Sequence, residues 1–301
     1  MKNKVTYSKK QRRLVLQENV ASYLFLLPFL LFFIMFVVYP MFMCVYTSFF
    51  DSTMGLEEDT FIGLKNYQEL FRDEKFLNAL WNTILIVLVS VPITCIFSLF
   101  VASAISKMPV TATSAFRCIF DLPVVTGSVA VTMVWKWMYN GYYGIFNYIG
   151  TSTGILEENI NWLGNPDTAL WCIILILLTT SVGQPIVLYV SALDNVNKTL
   201  VEAAQVDGAT DTQAFWRIKW PQMMPTTLYI LIITTINSFQ CFALIQLLTE
   251  GGSNTMTIMY YIYYNAFKLY RYGYGNAMGV ILALIIALLS AVQFKLGQEK
   301  N

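Results

Sequence analysis

The sequence predicts an all-α membrane protein with six transmembrane helices, and three observations carry that assignment. Of its 301 residues, 56% are apolar, 15% aromatic and only 12% charged, whereas a soluble domain carries about 25% charged residues. The charged residues cluster, leaving long stretches almost free of Asp, Glu, Lys and Arg. Each stretch reaches the roughly 20 residues needed to cross a hydrocarbon core about 30 Å thick, and such stretches recur along the whole chain.

In chain order the spans fall at about 21–49, 79–105, 117–138, 168–193, 223–248 and 277–296. A polar segment 1–20 precedes them, a loop at about 194–222 separates the fourth from the fifth, and a tail 297–301 follows. Lipid offers the backbone no hydrogen-bond partners, so each span is expected to be helical. Pro28, Pro92, Pro123 and Pro185 fall inside spans; packed membrane helices tolerate them where neighbours satisfy the freed carbonyls.

Lys and Arg concentrate in short cytoplasmic loops, which sets the orientation. With the N-terminal segment inside, the cytoplasmic side receives Lys2, Lys4, Lys9, Lys10, Arg12, Arg13, Lys107, Arg117, Lys198, Arg217, Lys219, Lys295 and Lys300. That is 13 of the 19 basic residues. Lys65, Arg72, Lys75, Lys136, Lys268 and Arg271 remain outside, where the first loop holds the acids Asp51, Glu57, Glu58, Asp59, Glu69, Asp73 and Glu74. Six spans place both termini on one side, and both termini are basic.

Several chemistries are excluded. The chain has no histidine, so histidine bases, histidine metal ligands and a Ser-His-Asp triad are ruled out. Cys44, Cys95, Cys118, Cys172 and Cys241 stand singly, with no CxxC pair, and are expected to pack as small apolar residues. No metal, cofactor or catalytic residue is expected, and no nucleic-acid partner. The first apolar stretch is too long for a signal-peptide core, so a cleaved leader is not expected. No GxxxxGK[ST] phosphate loop occurs, so any ATP hydrolysis belongs to another polypeptide.

The loop at 194–222 is the most informative segment. It contains Glu202-Ala203-Ala204, then Asp207-Gly208, then Ile218-Lys219-Trp220-Pro221. The pattern predicts a helix, a turn at Gly208 where positive φ costs little, and a second amphipathic helix ending before Pro221. Glu202 offers a charge to a partner, and the two alanines permit close approach of another surface. EAA, three residues, Gly, nine residues, then Ile-x-x-Pro resembles the coupling motif of binding-protein-dependent ABC importer permeases. Trp220 stands where the family usually has Leu.

The resemblance extends along most of the chain. Phe61-Ile62-Gly63-Leu64-Lys65-Asn66-Tyr67 is similar to the GLxNY segment of carbohydrate permeases of the maltose and glycerol-3-phosphate type. Asn161-Trp162-Leu163-Gly164 and Leu248-Thr249-Glu250-Gly251-Gly252 resemble the same group. The resemblance implies a type I importer permease fold, with Glu202, Ala203, Ala204, Asp207, Gly208, Ile218 and Pro221 coupling to an ATPase. It also implies a second, homologous permease, two ATP-binding subunits, an extracytoplasmic solute-binding protein and a bilayer around the assembly. A carbohydrate, mono- or oligosaccharide, is the expected cargo.

The expected substrate path is polar but uncharged. In the fifth span Thr234, Asn237, Ser238 and Cys241 fall at i, i+3, i+4 and i+7, one helical face. The fourth adds Ser181 and Gln184, with Tyr189, Phe239 and Phe242 near in sequence. Asp121 and Lys136, at the two ends of the third span, are the ionisable exceptions; Asp121 is expected at an interface. Proton-coupled carriers use intramembrane acids or histidines, and intramembrane enzymes a nucleophile with a base or a metal. The span centres carry essentially no such residues, which argues that energy arrives from another subunit; the alternatives are an importer of a non-sugar solute and, behind it, a self-sufficient carrier.

Overall fold

The computed structural model of the chain describes residues 22–53 and 59–298. The expected N-terminal segment with Lys2, Lys4, Lys9, Lys10, Arg12 and Arg13 lies outside the described residues, as do Glu57, Glu58 and Lys300. Four described helices are long and apolar enough to cross a membrane alone, and two bent pairs raise the candidate spans to six.

The first span, α1 (Ser22–Thr47), has a widened π-turn at Ile34–Val38. Pro40 explains it, since its ring displaces the carbonyl four residues back, that of Phe36. A short hairpin, β1 (Phe50–Asp51) with β2 (Thr60–Phe61), and α2 (Lys65–Leu70) lead into α3 (Glu74–Ile105). At 32 residues, α3 is about 48 Å long and outreaches the hydrocarbon layer.

The third expected span, 117–138, is not one helix. It comprises α4 (Val110–Thr126) and α5 (Ser128–Met138), which meet at 93°. Gly127 between them has φ +85° and ψ 140°, a conformation only glycine adopts freely, so it ends α4 and redirects the chain. After α6 (Ile145–Ser152), the fourth span is α7 (Pro166–Ser181) and α8 (Gly183–Asp194), bent by 40°. Pro185 removes the N–H that would bond Ser181, which places the bend there.

Beyond α9 (Lys198–Val206) and α10 (Asp211–Ala214), a π-turn at Phe215–Lys219 runs into α11 (Trp220–Phe239). This π-turn again precedes a proline, Pro221. The expected fifth span is interrupted at residues 240–242 before α12 (Ala243–Leu248). Then come α13 (Ile258–Tyr263) and α14 (Tyr272–Gln298), which starts five residues earlier than the expected sixth span.

The bundle closes around α3, which packs on α8 and α11, while α14 joins α11 to α1 and α4 leans on α8. On α3 the buried Ser90, Thr94, Ser98 and Ala102 recur every four residues. Small side chains on one face let helices approach closely where no hydrophobic effect drives them together. Ser98 Oγ donates to the Val182 carbonyl at the α7–α8 bend, 3.3 Å away. Ile105, Ile186, Tyr189, Met223 and Ile230, each under 4% exposed, complete this core.

The motif-like loops anchor helix ends on the side opposite α9. Asn66 Nδ2 donates to the Ser48 and Phe50 carbonyls at 2.9 and 3.0 Å, and Tyr67 shares a 2.6 Å hydrogen bond with Ser48. Asp73 caps α3 and accepts from the Tyr261 and Tyr274 hydroxyls at 2.6 and 2.8 Å. Burial works to raise its pKa, but the hydroxyls and the Lys75 and Phe76 amides outweigh burial and hold it below the usual 3.8. A depressed carboxyl stabilises the fold above its unfolded pKa, and that stabilisation is lost as pH falls through the lower folded value. Asp73→Ala is therefore expected to cost about 2–3 kcal/mol at neutral pH, with Asp73→Asn costing less. Thermal unfolding in detergent should show the deficit shrinking below about pH 4.

Candidate functional site

Two features stand out: the exposed α9–α10 loop on one side of the membrane and a polar cleft near mid-depth. Asn197 caps α9, its Oδ1 accepting from the Thr199 amide at 3.0 Å. At the other end the Ala209 amide bonds the Ala204 carbonyl at 2.9 Å and the Gly208 amide bonds Gln205 at 3.1 Å. This pair is a Schellman motif, which requires a left-handed residue at its turn, and Gly208 supplies φ +86°. The turn then passes into α10 through a capping box between Thr210 and Gln213. The expected motif thus has a plain geometric content: it stops one helix and starts another within four residues.

Of the expected coupling residues, Glu202, Ala203, Asp207, Gly208 and Pro221 are exposed, while Ala204 and Ile218 are half-buried. Glu202 borders a cavity of about 340 Å³ together with Lys107, Asp194, Lys198 and Lys219. Lys107 lies 3.5 Å from Asp211, but both are about 70% exposed, so this ion pair adds little stability. Trp220 is half-buried against Trp216, ring centroids 5.5 Å apart.

Sequence reasoning passed over the apolar part of this surface. Leu200, Val206 and Trp216 are 52%, 87% and 56% exposed. Leu200, Ala203 and Val206 repeat every three residues along α9, a helical stripe legible in the sequence. An exposed apolar stripe with a charged rim is the composition of a docking surface.

In the membrane, five of the six expected path residues come together. Ser181, Gln184, Thr234, Asn237 and Ser238 line one narrow cleft of about 40 Å³ where the α7–α8 bend faces α11. Gln184 and Asn237 are exposed, and among the described residues neither side chain is bonded. Thr234 and Ser238 are buried. Ser181 donates to the Leu177 carbonyl at 2.6 Å, which leaves its oxygen free only to accept.

Cys241 departs from the expected face. α11 ends at Phe239, the Cys241 amide turns back to the Ser238 carbonyl at 3.3 Å, and Thr257 Oγ1 donates to the Cys241 carbonyl at 2.9 Å. Its residue lines an adjoining cleft of about 460 Å³ with Ser128, Thr132, Thr180, Asn237 and Gln240. Two of the expected aromatic neighbours are also corrected. Tyr189 and Phe239 are fully buried in the core and offer no face to a ligand, whereas Phe242 lines the adjoining cleft.

Gly183 and Gly127 shape these clefts, and neither stands out in sequence. A Cβ on Gly183 would lie 2.5 Å from the Phe120 carbonyl oxygen and 3.1 Å from Asp121 Cα. Only glycine lets α4 press against the α7–α8 bend there. Half-buried Asp121 therefore sits at a helix–helix contact, and Lys136 Nζ donates to the Leu247 carbonyl at 2.7 Å. Among the described residues, no group of His, Cys, Asp and Glu could hold a metal.

Comparison with known proteins covers nearly the whole fold. A family model described as binding-protein-dependent transport system inner membrane component matches residues 60–298. The chain is 33% identical over 292 residues to the probable ABC transporter permease protein YesP of Bacillus subtilis, covering 95% of this chain and 93% of that one. It is 31% identical over 268 residues to the multiple sugar-binding transport system permease protein MsmF of Streptococcus mutans, covering 88% and 91%. In three dimensions it superposes with a TM-score of 0.82 on a chain of a bacterial ABC transporter involved in the import of the acidic polysaccharide alginate. That match has 23% identity and covers 94% of this chain and 96% of the other.

Proposed function

Because the chain belongs to the family of binding-protein-dependent transport system inner membrane components, we propose that it forms half of the translocation path of an ATP-driven carbohydrate importer. The observation that carries the cargo class is the cleft between the α7–α8 bend and α11. Its polar lining consists of two hydroxyl-bearing helix faces and two unbonded amides, without one formal charge. Amides and hydroxyls both donate and accept, which matches sugar hydroxyls; at about 40 Å³ the cleft is smaller than a sugar ring and supplies one polar wall of a path that a second permease completes. An unpaired ionised ligand at mid-depth would be costly. A sugar-transport relative that aligns over 88% of the chain supports the same class.

The rest of the proposal follows from the loop. Residues 194–222 dock on a separate ATPase through Glu202, Ala203, Ala204, Asp207, Gly208, Ile218 and Pro221, with Leu200, Val206 and Trp216 as the apolar contacts. Both termini lie on the cytoplasmic side with this loop, outside a membrane domain at 21–296. A second permease supplies the facing half of the path, two ATP-binding subunits the energy, and a solute-binding protein the delivery of the cargo.

Gln184→Ala and Asn237→Ala test the cleft. Each removes a hydrogen-bonding amide worth about 1 kcal/mol to a bound sugar, so ATP-driven uptake should fall about 5–10-fold. Assembly with the ATPase, followed by pull-down, should stay unchanged because neither amide is bonded within the chain. Wild-type uptake in both variants would remove the cleft from the path.

A further inference from the structure

On the side of the membrane opposite α9, an apolar slot of about 460 Å³ opens between α6 and the first half of α7. Phe146, Ile149, Leu156, Trp162, Trp171 and Leu175 form its walls. Buried Asn147 holds the fold around it: its Nδ2 donates to the Gly141 and Ile160 carbonyls, both at 2.9 Å, and its Oδ1 accepts from Trp162 Nε1 at 2.8 Å. The slot is therefore a built feature and not a gap between loose segments.

Its orientation identifies the solvent it faces. On α7, Leu170, Ile173 and Ile176 are buried in the bundle, and Leu177 and Ser181 line the polar cleft. Trp171 and Leu175 each precede a cleft residue by six positions, which at about 100° per residue turns them roughly 120° away. They are 54% and 45% exposed. The second permease completes the polar path, so the apolar face of α7 turned away from that path is the one left to lipid. Trp171 and Leu175 also lie five and nine residues past Pro166, about 8 and 14 Å along the helix from its start.

The surroundings are those of a membrane interface. α6 exposes Tyr148 and Ile149 on one side and packs Asn147 and Gly150 into the fold on the other. Trp135, Tyr139, Phe146 and Trp162 pack against one another beside it, an aromatic cluster of the composition found in interfacial belts. The rim carries one charge, that of Asp167, and the exposed Glu157 and Glu158 precede it in the same loop. Lys136 lines a different cavity beyond Tyr139.

We propose that this slot binds one acyl chain of a phospholipid with a primary ammonium headgroup, such as phosphatidylethanolamine, from the leaflet opposite α9. The apolar walls take the chain, and Asp167 at the rim favours the ammonium over an anionic headgroup. The test uses the full chain assembled with its partner subunits, in nanodiscs of equal phosphatidylethanolamine and phosphatidylglycerol. The complex is extracted, washed, and its retained lipid quantified by mass spectrometry. Wild type should retain phosphatidylethanolamine over phosphatidylglycerol by about 5-fold or more. Leu175→Trp and Ile149→Trp, which fill the slot from its exposed edge, should each lower retained phosphatidylethanolamine by about 5-fold with assembly unchanged. Asp167→Asn should keep the lipid but bring the two headgroups to near parity. Should Leu175→Trp fail to assemble, Ile149→Trp decides. The proposal is overturned if wild type retains no more phospholipid than the filled variants or retains both headgroups equally. It is overturned equally if Ile149→Cys cross-links to a partner subunit, which would make the slot a protein interface.

Discussion

Gly208→Val is expected to reduce ATP-driven uptake at least about 10-fold while the chain still inserts and folds. The turn needs φ +86° at this position, and a β-branched residue there costs about 1–2 kcal/mol or more. The strain is purely conformational, because a Cβ on Gly208 would meet nothing within 4 Å. The helix end would relax by abandoning the bonds from Ala209 to Ala204 and from Gly208 to Gln205, which turns α9 relative to α10. Glu202 and the Leu200–Ala203–Val206 stripe would then no longer present one surface. Gly208→Asn should be nearly silent, since asparagine tolerates this conformation at a helix C-terminus, and Gly208→Ala should fall between. Glu202→Ala should weaken ATPase pull-down without moving the turn. Equal uptake by Gly208→Val and wild type would remove the turn from the coupling mechanism.

Gly183→Val is expected to act on the fold itself. Here φ is ordinary and space is the constraint: the added Cβ meets the Phe120 carbonyl oxygen at 2.5 Å, an atom of rigid helix backbone. α4 and α8 must separate, which costs about 1–3 kcal/mol in a packed bundle, toward the upper end because the clash is with backbone. The cleft bordered by Ser181 and Gln184 would distort with them. Fluorescence-detected size exclusion after a heat challenge should show a large loss of assembled protein, and Gly183→Ala a smaller one. A Gly183→Val variant as heat-resistant as wild type would mean that α4 can shift without consequence.

These two glycines show where the sequence was informative. Gly208 was legible because its flanks, Glu202-Ala203-Ala204 and Ile218-x-x-Pro221, name a loop whose turn demands a left-handed residue. Gly183 was not, because its role depends on Phe120, 63 positions earlier, and no local pattern records that approach. Spans one and two read directly from uninterrupted apolar stretches, since lipid forces them to be helical. The 93° break at Gly127 was hidden within an equally apolar stretch, because hydropathy is blind to backbone direction. The polar cleft came through helical periodicity as far as Ser238 and failed at Cys241, where α11 had already ended and i+7 no longer meant the same face. Tyr189 and Phe239 failed differently: proximity in sequence says nothing about which way a side chain points in the bundle.

As proposed above, this chain conducts a carbohydrate only as half of an assembly energised by a separate ATPase. Uptake of labelled oligosaccharides into proteoliposomes tests it most directly, comparing this chain alone with the chain joined by a second permease, ATP-binding subunits and a solute-binding protein. The chain alone is expected to show no uptake and no ATP hydrolysis. The full assembly is expected to show ATP-dependent accumulation, sensitive to Asn237→Ala. Saccharide uptake by the chain alone without ATP, or a full assembly that accumulates a charged non-sugar solute and no saccharide, would contradict it.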